Sequence, residues 1–179
     1  MNLPNKITLL RICFIPAFLF VFLAEPFGEI ITPWLALVLF VTAAATDALD
    51  GYYARKLNLV TSFGKLMDPL ADKILVSAAI IAFTSVGVLQ AWVVVVIIAR
   101  EFYVSGLRML ALEKGKVLAA DTSGKVKTVF QIILIVYILL PPPFTILVHP
   151  IAINVLSYIT AAIGLYSGIN YTLANKNVF

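Results

Sequence analysis

The stretch Pro33-Trp-Leu-Ala-Leu-Val-Leu-Phe40-Val-Thr-Ala-Ala-Ala-Thr-Asp47-Ala-Leu-Asp50-Gly51-Tyr-Tyr-Ala54-Arg55 runs from unbroken apolar sequence directly into two aspartates. Its apolar part is about as long as a bilayer-crossing helix requires, given some tilt. A second pair follows in Gly64-Lys-Leu-Met-Asp68-Pro-Leu-Ala-Asp72, so four of the nine acidic residues crowd beside membrane-depth sequence. A carboxylate so placed costs on the order of a few kcal/mol unless a cation compensates it. The stretch therefore predicts two things together: a helical membrane bundle, and a cation site at one of its faces.

The rest of the chain agrees with the first prediction. It is 62% hydrophobic and 12% charged, with a mean hydropathy of +1.04, far from soluble globular usage. Read in windows of about 19 residues, it resolves into six apolar spans: Ile7–Leu23, Pro33–Leu49, Leu66–Thr84, Leu89–Leu110, Val126–Leu140 and Ile151–Leu173. The expected fold is an all-α integral membrane protein, six transmembrane helices in one bundle, forming a single domain over residues 1–179. Met1–Lys6, mildly amphipathic and containing Pro4, is expected to be a short interfacial segment. No small-residue cleavage site follows the first apolar run, which reads as a permanent span. The lone Cys13 lies within it and reads as a small packing residue. Pro141-Pro142-Pro143 ends the fifth span, since proline cannot continue a helix.

Charge orients the bundle. With six spans, all thirteen Lys and Arg fall toward one side, and the connections around Glu25–Thr32, Ser85–Gln90 and Pro141–Pro150 contain none. The positive-inside rule places both termini and the aspartates on the cytoplasmic side of the cell's inner membrane. A net charge of +4 suits a face that meets anionic lipid or a phosphorylated substrate; no nucleic-acid partner is expected. Trp34, Trp92 and Tyr103 read as packing or anchoring aromatics, and His149, in an outer connection, as a surface residue.

On a helix, Asp47 and Asp50 share a side, with Gly51 and Ala54 nearly in line and Arg55 at the edge. Gly64, Asp68 and Asp72, at four-residue intervals, form one stripe of the next helix. Small residues on those faces let a bulky group approach the backbone. Two carboxylate pairs on adjacent helices repel unless cations separate them, and oxygen-only donors favour Mg²⁺ or Mn²⁺ over Zn²⁺. Two such ions, typically about 3.5–4 Å apart, clamp the oxygens of a phosphorus undergoing displacement. Salt bridges to Arg55, Lys65 and Lys73 alone would not call for Gly51, Ala54 and Gly64 on the same faces.

Asp47 to Asp72 fits D-x2-D-G-x2-A-R-x8-G-x3-D-x3-D without a departure. In this the chain resembles the CDP-alcohol phosphotransferases, which move a phosphatidyl group from a CDP-linked lipid to an alcohol and release CMP. The resemblance implies six transmembrane helices, a cytoplasm-facing site and a homodimer. It also implies two metal ions on Asp47, Asp50, Asp68 and Asp72, and the cytidine diphosphate on Gly51, Ala54, Arg55 and Gly64. Asp72 would be the candidate general base, with Asp68 beside it in the catalytic group.

The acceptor must be chosen elsewhere. Arg100 lies well inside apolar sequence, with Trp92–Ala99 preceding it, and should face the bundle or a water-filled cavity. Arg100, Glu101 and Arg108 fall within about a third of a helix circumference. In Gly124-Lys125-Val-Lys127-Thr128 the two lysines stand about 160° apart, so only one can enter a common pocket. Lys125, with Thr128 three residues on, is the expected pocket residue, and Lys127 is expected to snorkel to the interface. Convergent Arg100, Arg108 and Lys125 call for a dianion such as a second phosphate. These positions, with Gln131 and the N-terminal Leu3-Pro4-Asn5-Lys-Ile-Thr8-Leu-Leu-Arg11, resemble the branch whose acceptor is sn-glycerol 3-phosphate and whose lipid donor is CDP-diacylglycerol. Thr8 and Arg11 would assist at the acceptor phosphate. Inositol phosphate, serine or a phosphatidyl lipid are alternative acceptors. An intramembrane prenyltransferase would carry a differently spaced aspartate cluster, and a cation transporter would carry carboxylates at mid-membrane with an exit path.

Overall fold

The computed structural model describes residues 3–56, 62–116 and 122–176, and side chains over 12–46, 73–116 and 122–176. The described residues form α1 (Leu3–Ala24), α2 (Gly28–Lys56), α3 (Ser62–Ser85), α4 (Ala91–Glu113), α5 (Thr122–Ile138) and α6 (Pro150–Ala174), with a 3₁₀ turn at Phe144–Leu147 and no strand among them. Each expected span thus has its helix. Leu3–Lys6, expected as a separate interfacial segment, is instead the first turn of α1.

The turns are set by backbone chemistry. α3 and α4 both end in a glycine of positive φ, Gly87 at 77° and Gly115 at 70°, a conformation that costs other residues roughly 1–2 kcal/mol. After α4, Gly115 N donates to Leu112 O and Lys116 N to Ala111 O, both at 2.9 Å. After α3, Gly87 N donates to Thr84 O at 3.0 Å and Val88 N to Phe83 O at 2.9 Å. These paired bonds satisfy carbonyls that the helix leaves open. His149, read as a surface residue, caps α6: its Nδ1 accepts from Ile151 N at 3.3 Å.

The chain divides into two compact units. The first comprises Met1–Ala82 with Leu139–Leu147, and the second Phe83–Ile138 with Val148–Phe179. In the first, α1 packs on α2, and buried Ile15, Phe18 and Val21 on α1 match buried Ala36, Phe40 and Ala43 on α2. The 3–4 spacing of both sets makes one stripe on each helix. Phe18 and Phe40, both fully buried, meet with ring centroids 6.0 Å apart and planes at 56°. Cys13 stands two residues before Ile15, off that stripe, and is exposed, which corrects its expected packing role. Trp34 meets Phe144 edge-on at 6.3 Å, as a packing aromatic should. Phe40→Ala is expected to destabilise the protein by about 3–5 kcal/mol, from lost contact and the cavity left behind. Thermal unfolding in detergent with intact protein as reference measures this.

In the second unit α6 packs against both α4 and α5. Its buried residues include Ser157, Thr160, Ala161, Gly164, Ser167 and Gly168, a small-residue stripe that lets helix backbones approach closely. Trp92 stacks on Tyr158 at 5.5 Å and donates its Nε1–H to Gln90 Oε1 at 2.6 Å.

Among the described residues two helices, over Gly28–Thr46 and Pro150–Ala174, are long and apolar enough to cross a membrane. Every helix also exposes large apolar side chains, among them Phe20, Ile30, Ile81, Val95, Ile133 and Ile169.

Candidate active site

α2 stays helical through Asp47, Asp50, Gly51, Ala54 and Arg55 to Lys56, and α3 is helical across Gly64, Asp68 and Asp72. The second apolar span was expected to end at Leu49; the helix continues, so the whole first half of the aspartate signature shares one helical register. Three- and four-residue spacings then put Asp47 with Asp50, and Asp68 with Asp72, on common helix sides. The side chains of these residues, and those of Thr8 and Arg11, lie outside the described residues. Among the described residues no group of three His, Cys, Asp or Glu could hold a metal. The four carboxylates of the signature are hard oxygen donors, a set that suits Mg²⁺ or Mn²⁺.

The second unit shows what becomes of the basic residues. α4 buries Val93, Ile97, Val104 and Ala111, and Arg100 and Arg108 continue the same 3–4 rhythm. Both arginines reach α6. Arg100 Nη2 donates to Ser167 Oγ at 2.6 Å, and Arg108 Nε donates to Tyr171 Oη at 3.2 Å. The Arg108 guanidinium also lies 5.4 Å from the centroid of the Tyr171 ring. Arg100 is enclosed, with 9% of its side chain exposed, and its Nε is buried without a hydrogen-bond partner. Two glycines line the cradle at ordinary contact distance. A Cβ on Gly168 would stand 3.4 Å from Arg100 Cγ, and one on Gly124 would stand 3.7 Å from Nη2. Ser123 of α5 donates to Ser167 Oγ at 3.0 Å, bracing the hydroxyl that meets the guanidinium. Beside it an apolar hollow of about 550 Å³ opens between α4 and α6, lined in part by Val95, Ala99, Leu165 and Ile169, with the Tyr103–Thr172 hydroxyl pair at 3.1 Å on its wall.

The lysines of α5 reverse the expectation. Lys127, expected to snorkel, is buried with 4% exposure and pairs with Glu101. Lys125, the expected pocket residue, is exposed, and Thr128 Oγ1 donates back to Gly124 O at 3.1 Å. The physical reason lies in the stripe of α5: Lys127 shares its face with buried Gln131, Leu134 and Ile135. Sequence reasoning also missed Ser167, whose only signal is a polar residue among small ones in an apolar run.

The chain matches the CDP-alcohol phosphatidyltransferase family over residues 1–166. It is 45% identical over 184 residues to a CDP-diacylglycerol–glycerol-3-phosphate 3-phosphatidyltransferase of Bacillus subtilis, covering 97% of this chain and 91% of that protein. A protein of the same name from Rickettsia bellii is 38% identical over 181 residues, covering 99% and 97%. A probable phosphatidylglycerophosphate synthase of Mycobacterium tuberculosis is 38% identical over 140 residues, covering 78% and 66%. The resemblance read from the aspartate signature is thereby borne out.

Proposed function

As the chain belongs to the CDP-alcohol phosphatidyltransferase family, we propose that it transfers the phosphatidyl group of CDP-diacylglycerol to sn-glycerol 3-phosphate, giving phosphatidylglycerophosphate and CMP. The observation that carries this reading is near-full-length identity of 45% and 38% to two proteins named for that reaction.

Asp47, Asp50, Asp68 and Asp72 would hold two divalent ions, Mg²⁺ or Mn²⁺. Ions bound there supply positive charge to diphosphate oxygens and to the departing phosphate of CMP. Gly51, Ala54 and Gly64 leave room for the cytidine diphosphate against the helix backbones, and Arg55 adds a cation at its phosphates. Asp72 takes the proton of the glycerol hydroxyl as its oxygen bonds to the lipid-bearing phosphorus and the bond from that phosphorus to the CMP oxygen breaks. Arg100 and Arg108, both reaching α6 from α4, bind the acceptor phosphate.

The proposed setting is six membrane spans, with both termini and the aspartates on the cytoplasmic side, in a homodimer. Supporting the spans, each helix carries large exposed apolar side chains, such as Ile30 at 71% and Val95 at 64% exposure, which lipid would cover.

Mass spectrometry of the products tests the reaction. Purified protein with CDP-diacylglycerol, glycerol 3-phosphate and Mg²⁺ should form phosphatidylglycerophosphate and CMP one to one. CMP with phosphatidic acid as its only lipid product would mean hydrolysis, and would refute the transfer.

A further inference from the structure

The cation proposed for the acceptor phosphate has an anion at its side. Glu101 Oε1 lies 3.4 Å from Arg100 Nη1, close enough to compete with any anionic ligand for the guanidinium. In a partly buried setting that attraction is strong, because little water screens it. The same Oε1 of Glu101 pairs with Lys127 Nζ, which comes from a different helix and is buried with 4% exposure. Counting charges, Arg100 and Lys127 contribute one positive each and Glu101 one negative, so the group keeps a net positive charge. Without Lys127 it would be neutral.

We propose that Lys127 is a positioning residue for the acceptor site. Its ammonium engages Glu101, so that Glu101 orients the Arg100 guanidinium without cancelling it. Ser167 fixes the other guanidinium nitrogen through its 2.6 Å hydrogen bond. Arg100 is thus held at both ends while its charge stays available to a phosphomonoester. This inference rests on the reading of Arg100 as a ligand of the acceptor phosphate.

A charge-rescue series on full-length protein in detergent tests it, with initial rates of CMP release read against each substrate separately. Lys127→Met should raise KM for glycerol 3-phosphate about tenfold, with KM for CDP-diacylglycerol within about twofold of wild type. Glu101→Gln/Lys127→Met removes the competing anion too, and keeps an oxygen that can accept from Arg100. That double variant should return KM for glycerol 3-phosphate to within about threefold of wild type. A structural role for Lys127 alone would not produce a rescue confined to one substrate. An unrescued double variant overturns the proposal, as does Lys127→Met with wild-type KM. If Lys127→Met fails to fold, the double variant decides the matter, since it leaves neither member of this buried pair charged. Arg100→Gln separates the two layers. An unchanged KM for glycerol 3-phosphate overturns the Arg100 reading and this inference with it. A raised KM beside an unrescued double variant overturns this inference only.

Discussion

Asp68→Asn is expected to lower CMP release by at least about a thousandfold, with the protein still folded in detergent. The substitution is nearly isosteric, so it changes charge rather than packing. Four carboxylates in one signature can coexist only if cations balance them, and an amide in place of Asp68 removes one anionic donor from the set. An electrostatic anchor of this kind acts where charge develops in the transition state, and for that reason its loss falls on kcat more than on KM. Chelation of divalent ions should do the same to the wild-type enzyme, reversibly on returning Mg²⁺ or Mn²⁺. Initial rates with each metal, together with Mn²⁺ binding followed by paramagnetic resonance, measure both effects. An Asp68→Asn enzyme with rates within tenfold of wild type would remove that carboxylate from the metal set.

The second large effect is expected at Arg100. Arg100→Gln should raise KM for glycerol 3-phosphate roughly a hundredfold, the scale of a lost charge-assisted pair in a water-poor site. KM for CDP-diacylglycerol should change little. Arg100→Lys should rescue poorly, because a point charge cannot keep the Ser167 and Glu101 contacts and also meet a phosphate with a planar fork. The enclosure of the side chain, 9% exposed, is what makes the effect large: a surface arginine would be screened and replaceable. Equal losses toward both substrates would mean that Arg100 supports the bundle instead.

Much of this architecture is legible in the sequence because the rule that writes it is coarse. Apolar length fixes where the helices lie, and the expected ends agree with the observed ones to within a few residues. Two of the departures have local causes. α2 runs past Leu49 to Lys56 because aspartates and arginine do not break a helix, even though they end an apolar window. α5 begins at Thr122, ahead of the apolar run, because Thr-Ser-Gly-Lys makes a polar first turn. The aspartate signature is legible for a different reason: fixed spacing on helices determines a face directly. The basic site is less so. Whether Lys125 or Lys127 turns inward depends on which stripe of α5 meets α6, and hydropathy alone discounts any stripe that contains a lysine. The Glu101–Lys127 pair joins residues 26 positions apart, which no local pattern encodes. Ser167 is silent in the sequence because its role exists only once α4 and α6 are packed.

The most direct test of the central claim is CMP release from CDP-diacylglycerol by the purified protein with one acceptor at a time: glycerol 3-phosphate, inositol phosphate, inositol or serine, each with and without chelator. The account predicts turnover with glycerol 3-phosphate alone, abolished by the chelator and restored by Mg²⁺ or Mn²⁺. Turnover with a different acceptor and none with glycerol 3-phosphate, or release indifferent to the chelator, would contradict it.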